Sequence, residues 1–296
     1  MQFIEIYRSR GLLACQHRAF VLHAVGIESQ IVDLPEEFAL CVADYTADTA
    51  REHLRRYEEE SAHVDPPLKA PTLHPYAWLT PLLFTVTLLA VGYWAGRAAF
   101  GFEWYDAGAL LPRIERNHQW WRALTALTLH ADHPHLLGNL GFGVVFSYMA
   151  ARLMGAGVAW FAIIFAATLG NVLDSLWMPA THVSMGASTA VFATLGLVSA
   201  FSWRLQFSRR LRWAHRWAPL VSGVVLLGLI GSGGENTDVL AHLTGFFCGC
   251  LFGVGYARMS PAKLENKYLQ LSLGVVACGL ILVAWSWAGL ATALAK

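Results

Sequence analysis

The chain carries little charge. Asp, Glu, Lys and Arg make up 14% of its 296 residues, against about a quarter in soluble globular proteins. The deficit is uneven, because residues 1–75 hold 19 of the 41 charges and long uncharged stretches follow. That distribution excludes an ordinary soluble enzyme and a disordered chain, and leaves an integral membrane protein with the lipid bilayer as its surroundings. A net charge of +1 offers nothing to attract nucleic acid, so none is expected as a partner. A signal peptide is missing too, since the first 30 residues are mixed and charged without a continuous apolar run. The five cysteines (Cys15, Cys41, Cys248, Cys250 and Cys278) are an odd set split between polar and apolar segments, which gives no disulfide framework.

What the chain has is apolar length. It is 56% hydrophobic, and a membrane-spanning helix needs about 17–25 mainly apolar residues. Seven segments qualify: 76–96, 134–151, 153–173, 186–203, 217–234, 239–257 and 268–294, none with an Asp, Glu, Lys or Arg. The loops after the second, fourth and sixth hold nine Lys and Arg, whereas the opposite side has four in loop 97–133 plus Lys296. The positive-inside rule then puts the N-terminus in the cytoplasm and the C-terminus outside.

Residues 1–60 read as a small cytosolic α+β domain. Phe3–Tyr7, Ile27–Leu34 and Phe38–Tyr45 have strand patterns, and Gly11–Val25 and Ala47–Glu60 have helical ones, with Leu12, Ala19, Leu22 and Val25 on the first helix face. The order β-α-β-β-α is similar to ferredoxin-like modules. Residues 61–75, with Pro66, Pro67, Pro71 and Pro75, form a linker.

Polar residues inside apolar spans carry the functional signal, because each costs free energy unless it is paired or used. His135 and Asn139 stand four apart at the start of the second span and so share a helix face. Ser188, after Gly186 and Ala187, opens the fourth span, where free N–H groups and the helix dipole favour a developing negative charge. His242 begins a stripe with Gly245, Gly249 and Gly253 that aims it at a neighbouring helix. Each has a plainer reading: an interfacial His, a serine cap, a packing stripe. Together, at one depth of three parallel helices, they make a nucleophile, a base and oxyanion donors.

These motifs resemble the rhomboid intramembrane serine proteases over residues 76–257: Trp121-Arg122, His135-x-x-x-Asn139, Gly186-x-Ser188 and Ala241-His242-x-x-Gly245-x-x-x-Gly249. The resemblance implies an all-α polytopic bundle, a six-helix core followed by a linker and a seventh helix over residues 258–296. It implies Ser188 as nucleophile and His242 as general base, forming a dyad oriented by packing alone. His135 and Asn139, with the Ser188 N–H, would bind the oxyanion. Trp121, Arg122, Gly186, Gly245 and Gly249 would be structural. The implied activity is endopeptidase cleavage of transmembrane protein substrates, without metal or cofactor, at a site open to the outer face of a bacterial inner membrane. Thr189 departs from the family's usual Gly and is expected to add bulk beside the nucleophile.

Rival chemistries have less to stand on. Aspartyl intramembrane proteases need two Asp in the spans, and zinc types need His-Glu-x-x-His, which is absent. His130, Asp132, His133 and His135 form one histidine cluster where a membrane metalloenzyme needs several. A transporter would need an intramembrane charge for coupling. The alternative from another class is a proteolytically inactive rhomboid-like protein that binds membrane clients.

Overall fold

The computed structural model describes residues 2–62, 74–101, 103–207, 213–231 and 238–294. Most of the predicted linker, the positive charges at Arg209, Arg210 and Arg212, and Lys296 lie outside the described residues. Contacts divide the chain into two units, Met1–Ala70 and Pro71–Lys296.

The first unit contains strand β1 (Phe3–Ser9), helix α1 (Leu12–Ala24), strands β2 (Ser29–Asp33) and β3 (Phe38–Ala43), and helix α2 (Ala47–Ala62). The sheet order is β1-β3-β2, with both pairings antiparallel. That is the split β-α-β arrangement of ferredoxin-like folds. Leu22, Leu40, Val42, Ala50 and Leu54 form its core. Helix α1 buries Cys15 and Leu22, whereas Leu12 and Val25, expected on the same face, are exposed along with Leu13 and Phe20. The helix has apolar residues on two sides, and the sheet covers only one.

The second unit is a helical bundle of α3 (Leu79–Ala95), α6 (His133–Met154), α7 (Ala156–Trp177), α8 (Ser188–Phe207), α9 (Trp213–Gly231), α10 (Val239–Tyr256) and α12 (Lys267–Leu294). Short helices α4 (Trp104–Gly108) and α5 (Arg122–Thr125) lie in the long connection after α3, and α11 (Pro261–Leu264) precedes α12. Helices α6, α7, α9, α10 and α12 are long and apolar enough to cross a membrane. Helix α3, with 17 residues, is shorter. Exposed apolar side chains such as Val221, Val224 and Leu229 on α9, and Leu282, Val283 and Leu290 on α12, suit a lipid-facing surface.

Helix α8 sits at the centre, with Ala190, Ala193, Leu197 and Ala200 buried. It meets α10 almost backbone to backbone. A Cβ on Gly245 would lie 2.5 Å from the Thr189 carbonyl oxygen, and one on Gly249 or Gly253 would press on the Ala193 or Leu197 carbonyl. Small residues admit this approach because no side chain stands between the helices.

Helices α6 and α7 are separated by a single residue, Gly155, with φ +86°. The side chain of Gln270 on α12 serves both cut ends. Its Oε1 accepts from the Gly157 and Val158 N–H groups at 2.8 and 3.0 Å, and its Nε2 donates to the Met154 carbonyl at 2.8 Å. Further along, Trp285 of α12 packs on Trp104 of α4 with ring centroids 4.5 Å apart and donates to Thr128 Oγ1 at 3.1 Å. The seventh helix is thus bonded to the long connection as well as to the core.

One expectation is corrected. Helix α7 runs to Trp177, past the predicted end at 173, and so takes in Asp174. This carboxylate is fully buried and has no donor among the described residues, and the Asp238 carboxyl lies beside it. The apolar run stops at the charge, whereas the backbone hydrogen bonds do not.

Candidate active site

Three helix starts and the segment before one of them build the site. Asp132 caps α6, its Oδ1 accepting from the His135 N–H at 2.7 Å, and Pro134 suits the first turn. Asp238 caps α10 in the same way, through the Ala241 N–H at 3.0 Å. Helix α8 begins at Ser188 after an abrupt turn at Gly186, whose φ is +145°. A Cβ there would stand 2.6 Å from His135 Cε1 and 3.6 Å from Asn139 Nδ2. The glycine therefore admits both the backbone angle and the close approach of His135.

A cavity of about 930 Å³ gathers Ser188, His242, His135 and Asn139 on one lining, with His182 and Asp238 beside them. His242 is buried. Its Nδ1–H donates to the Gly231 carbonyl oxygen at 2.7 Å, and its ring lies on Phe192 with centroids 4.3 Å apart. The remaining nitrogen, Nε2, is left as the acceptor, the form a general base needs. The idea that packing alone would orient this ring is thereby corrected: a main-chain carbonyl fixes it. No hydrogen bond joins Ser188 to His242 among the described residues. Such bonds commonly tighten only when substrate binds.

Asn139 is buried, and its Nδ2 donates to His130 Nε2 at 3.0 Å. The Ala187 N–H donates to the same nitrogen at 3.3 Å. Burial, with the His135 ring next to it, pushes the His130 imidazole down to about 4, so the ring is neutral. The members of the histidine cluster take separate parts: His130 accepts hydrogen bonds, Asp132 is a cap, His133 is exposed and His135 lines the cavity. Among the described residues no group of three His, Cys, Asp or Glu side chains could hold a metal ion.

Trp121 and Arg122 lie away from the cavity. Trp121 Nε1 donates to the Ala107 carbonyl at 3.1 Å, and the buried Arg122 donates to the Ala109 carbonyl at 2.8 Å and to Gln119 Oε1 at 2.7 Å. Both clasp the α4 segment. Thr189 does not reach the cavity lining. It is buried, and its methyl sits where Gly170 and Gly245 leave room, so its bulk enters the helix crossing and not the cavity beside Ser188.

Sequence reasoning missed several of these partners. Gly231 acts through a carbonyl, which has no sequence signature. His182 donates to Asp238 Oδ2 at 3.2 Å across 56 residues, a pairing that local spacing cannot reveal. His130 was visible only as a candidate metal ligand.

The family model described as the Rhomboid domain matches residues 117–259, which include every one of the cavity residues named above. The Bacillus subtilis rhomboid-family protein YdcA is 30% identical over 157 residues, covering 51% of this chain and 73% of that protein. The chain belongs to the rhomboid family. Rhomboid-like protease 3 of Toxoplasma gondii is 32% identical over 180 residues, 60% of this chain and 66% of its own length. Rhomboid protease GluP of Bacillus subtilis is 27% identical over 164 residues, 53% of this chain and 31% of that one. This rhomboid therefore shares with its relatives about half of its own length, and its membrane-crossing helices make it an integral membrane protein.

Proposed function

We propose that this rhomboid is an intramembrane serine endopeptidase, with Ser188 as nucleophile and His242 as general base. The observation that carries the reading is the shared cavity in which Ser188 opens a helix next to a buried histidine whose Nδ1–H is already committed to Gly231. His242 Nε2 takes the Ser188 proton as Oγ attacks the scissile carbonyl, and gives it to the leaving amine. Water then hydrolyses the acyl-enzyme by the same route. The tetrahedral oxyanion is received by the Ser188 N–H, Asn139 Nδ2 and His135, which face the Gly186 turn. Trp121, Arg122, Gly186, Gly245 and Gly249 hold these elements in place.

Substrates are transmembrane proteins. A helical segment hides its carbonyls in backbone hydrogen bonds, so the cleaved stretch must unwind before Ser188 can reach it. Helix-breaking residues and a small side chain at the cut favour that. The proposed location is a bacterial inner membrane, and the distribution of Lys and Arg supports a cytoplasmic N-terminus with the cavity toward the outer face. Residues 76–257 form the catalytic core in this reading, with residues 258–296 appended to it.

The test uses the purified full chain with a fluorogenic transmembrane substrate, with and without chelator. Wild type is expected to cleave in both conditions, and Ser188→Ala and His242→Ala to lose activity by about 10⁴-fold or more. Cleavage that persists in both variants would remove the dyad. An inert wild type would favour the client-binding alternative, which the missing Ser188–His242 hydrogen bond keeps in view.

A further inference from the structure

We infer that His130 is a positioning residue of the oxyanion site, locking the Asn139 amide with its N–H groups, and not its oxygen, toward the reacting carbonyl. The inference rests on the protease reading above and adds a group to which that reading gives no part.

A carboxamide can present either its oxygen or its NH₂ to a neighbour, and the two ends have nearly the same shape. For an oxyanion donor the difference decides everything, since a flipped amide would place an acceptor against a developing negative charge. Something must therefore choose the orientation. The Ala187 N–H is a main-chain group that can only donate, and it points at His130 Nε2 from 3.3 Å. That nitrogen is thereby an acceptor, and the ring is neutral with its proton on Nδ1. An acceptor at Nε2 requires a donor from Asn139, which is the 3.0 Å bond from Nδ2. One hydrogen of Nδ2 is spent on His130, and the other is left for the cavity that Asn139 lines.

The same imidazole nitrogen holds both halves of the oxyanion site. Asn139 stands on α6, whereas Ala187 is the residue before the nucleophile, whose own N–H is the main-chain donor. His130 comes from neither helix. It lies in the turn before α6, buried at 8% exposure, with its ring 5.2 Å from that of His135. Without an acceptor at this point the Ala187 N–H would lose its partner and the Asn139 amide would be free to rotate.

The test compares full-length wild type with His130→Leu, His130→Asn and His130→Gln on the transmembrane substrate, recording kcat, KM and Tm, with Ser188→Ala as the reference. Removing an oxyanion donor outright costs about 10²–10³ in kcat, so loss of its orientation in His130→Leu should cost about 10- to 100-fold in kcat with KM unchanged. His130→Asn, polar enough to fold should Leu fail to, is too short to reach Asn139 and should lose as much. His130→Gln can offer its Oε1 in place of Nε2 and should recover kcat to within about threefold of wild type, even where its Tm falls as far as that of the others. Equal kcat losses in all three variants that follow Tm, or a kcat kept within twofold by Leu or Asn, would reduce His130 to a packing residue. If wild type does not cleave, or Ser188→Ala cleaves as well as wild type, the protease reading fails first, and the comparison with Ser188→Ala shows this before any His130 variant is considered.

Discussion

Ser188 reaches the cavity because Gly186 turns the chain where no other residue fits. Replacement by Ala would force a side chain into a φ of +145° and drive its Cβ to 2.6 Å from His135 Cε1. Gly186→Ala is expected to lower kcat by about 10²-fold through the displaced donor and to cost about 1–3 kcal/mol in stability. Cleavage rates and thermal unfolding in detergent measure the two effects separately. The residues that meet in the cavity were visible in the sequence for a physical reason: polar groups are expensive in an apolar span, and i, i+4 spacing or a helix start gives each a direction. Their partners were not visible. Gly231 contributes a carbonyl that every residue has, His182 reaches Asp238 across 56 positions, and Asp174 was hidden by a span cut off at the first charge.

At the scale of elements, the helices were legible from their apolar runs, yet the junctions between them were not. Gln270 is an unremarked polar residue in a long apolar helix, but it bonds the end of α6 and the start of α7 at once. Gln270→Leu would take this partner from two N–H groups, of Gly157 and Val158, and from two carbonyls, of Met154 and Leu264, in a half-buried place. It should destabilise the protein by about 2 kcal/mol, seen as a lower Tm, while kcat of the molecules still folded stays near wild type because the cavity lies elsewhere. The face of α1 is legible at Ala19 and Leu22, which reach the sheet core, but not at its ends, where Leu12 and Val25 share the spacing and stay exposed. Periodicity says which face of a helix is buried without saying how far along it the neighbour reaches.

On the scale of the whole molecule, the two units each have a core of their own. A fragment covering residues 1–62 is therefore expected to fold alone, with a cooperative thermal transition by circular dichroism. Within it Arg55 and Arg56 hold the Glu52 carboxyl down at about 2, below the unfolded value of about 4.3. A depressed carboxylate stabilises the fold above its unfolded pKa and loses that contribution as pH falls through the folded one. The fragment's Tm should decline between about pH 4.3 and pH 2, and Glu52→Gln should flatten that decline. A Tm of the variant with the same slope as wild type would assign the acid sensitivity to other carboxylates.

The glycine contact between α8 and α10 has a consequence in time as well as in space. Ser188 leaves the ribosome 54 residues ahead of His242, and the side of α8 that meets Gly245, Gly249 and Gly253 stays uncovered until α10 is made. The imidazole, its Gly231 anchor and the crossing that holds them opposite the serine are all late products of synthesis. A half-made chain thus carries Ser188 without His242, and the cavity that both line is complete only when α10 has joined the bundle.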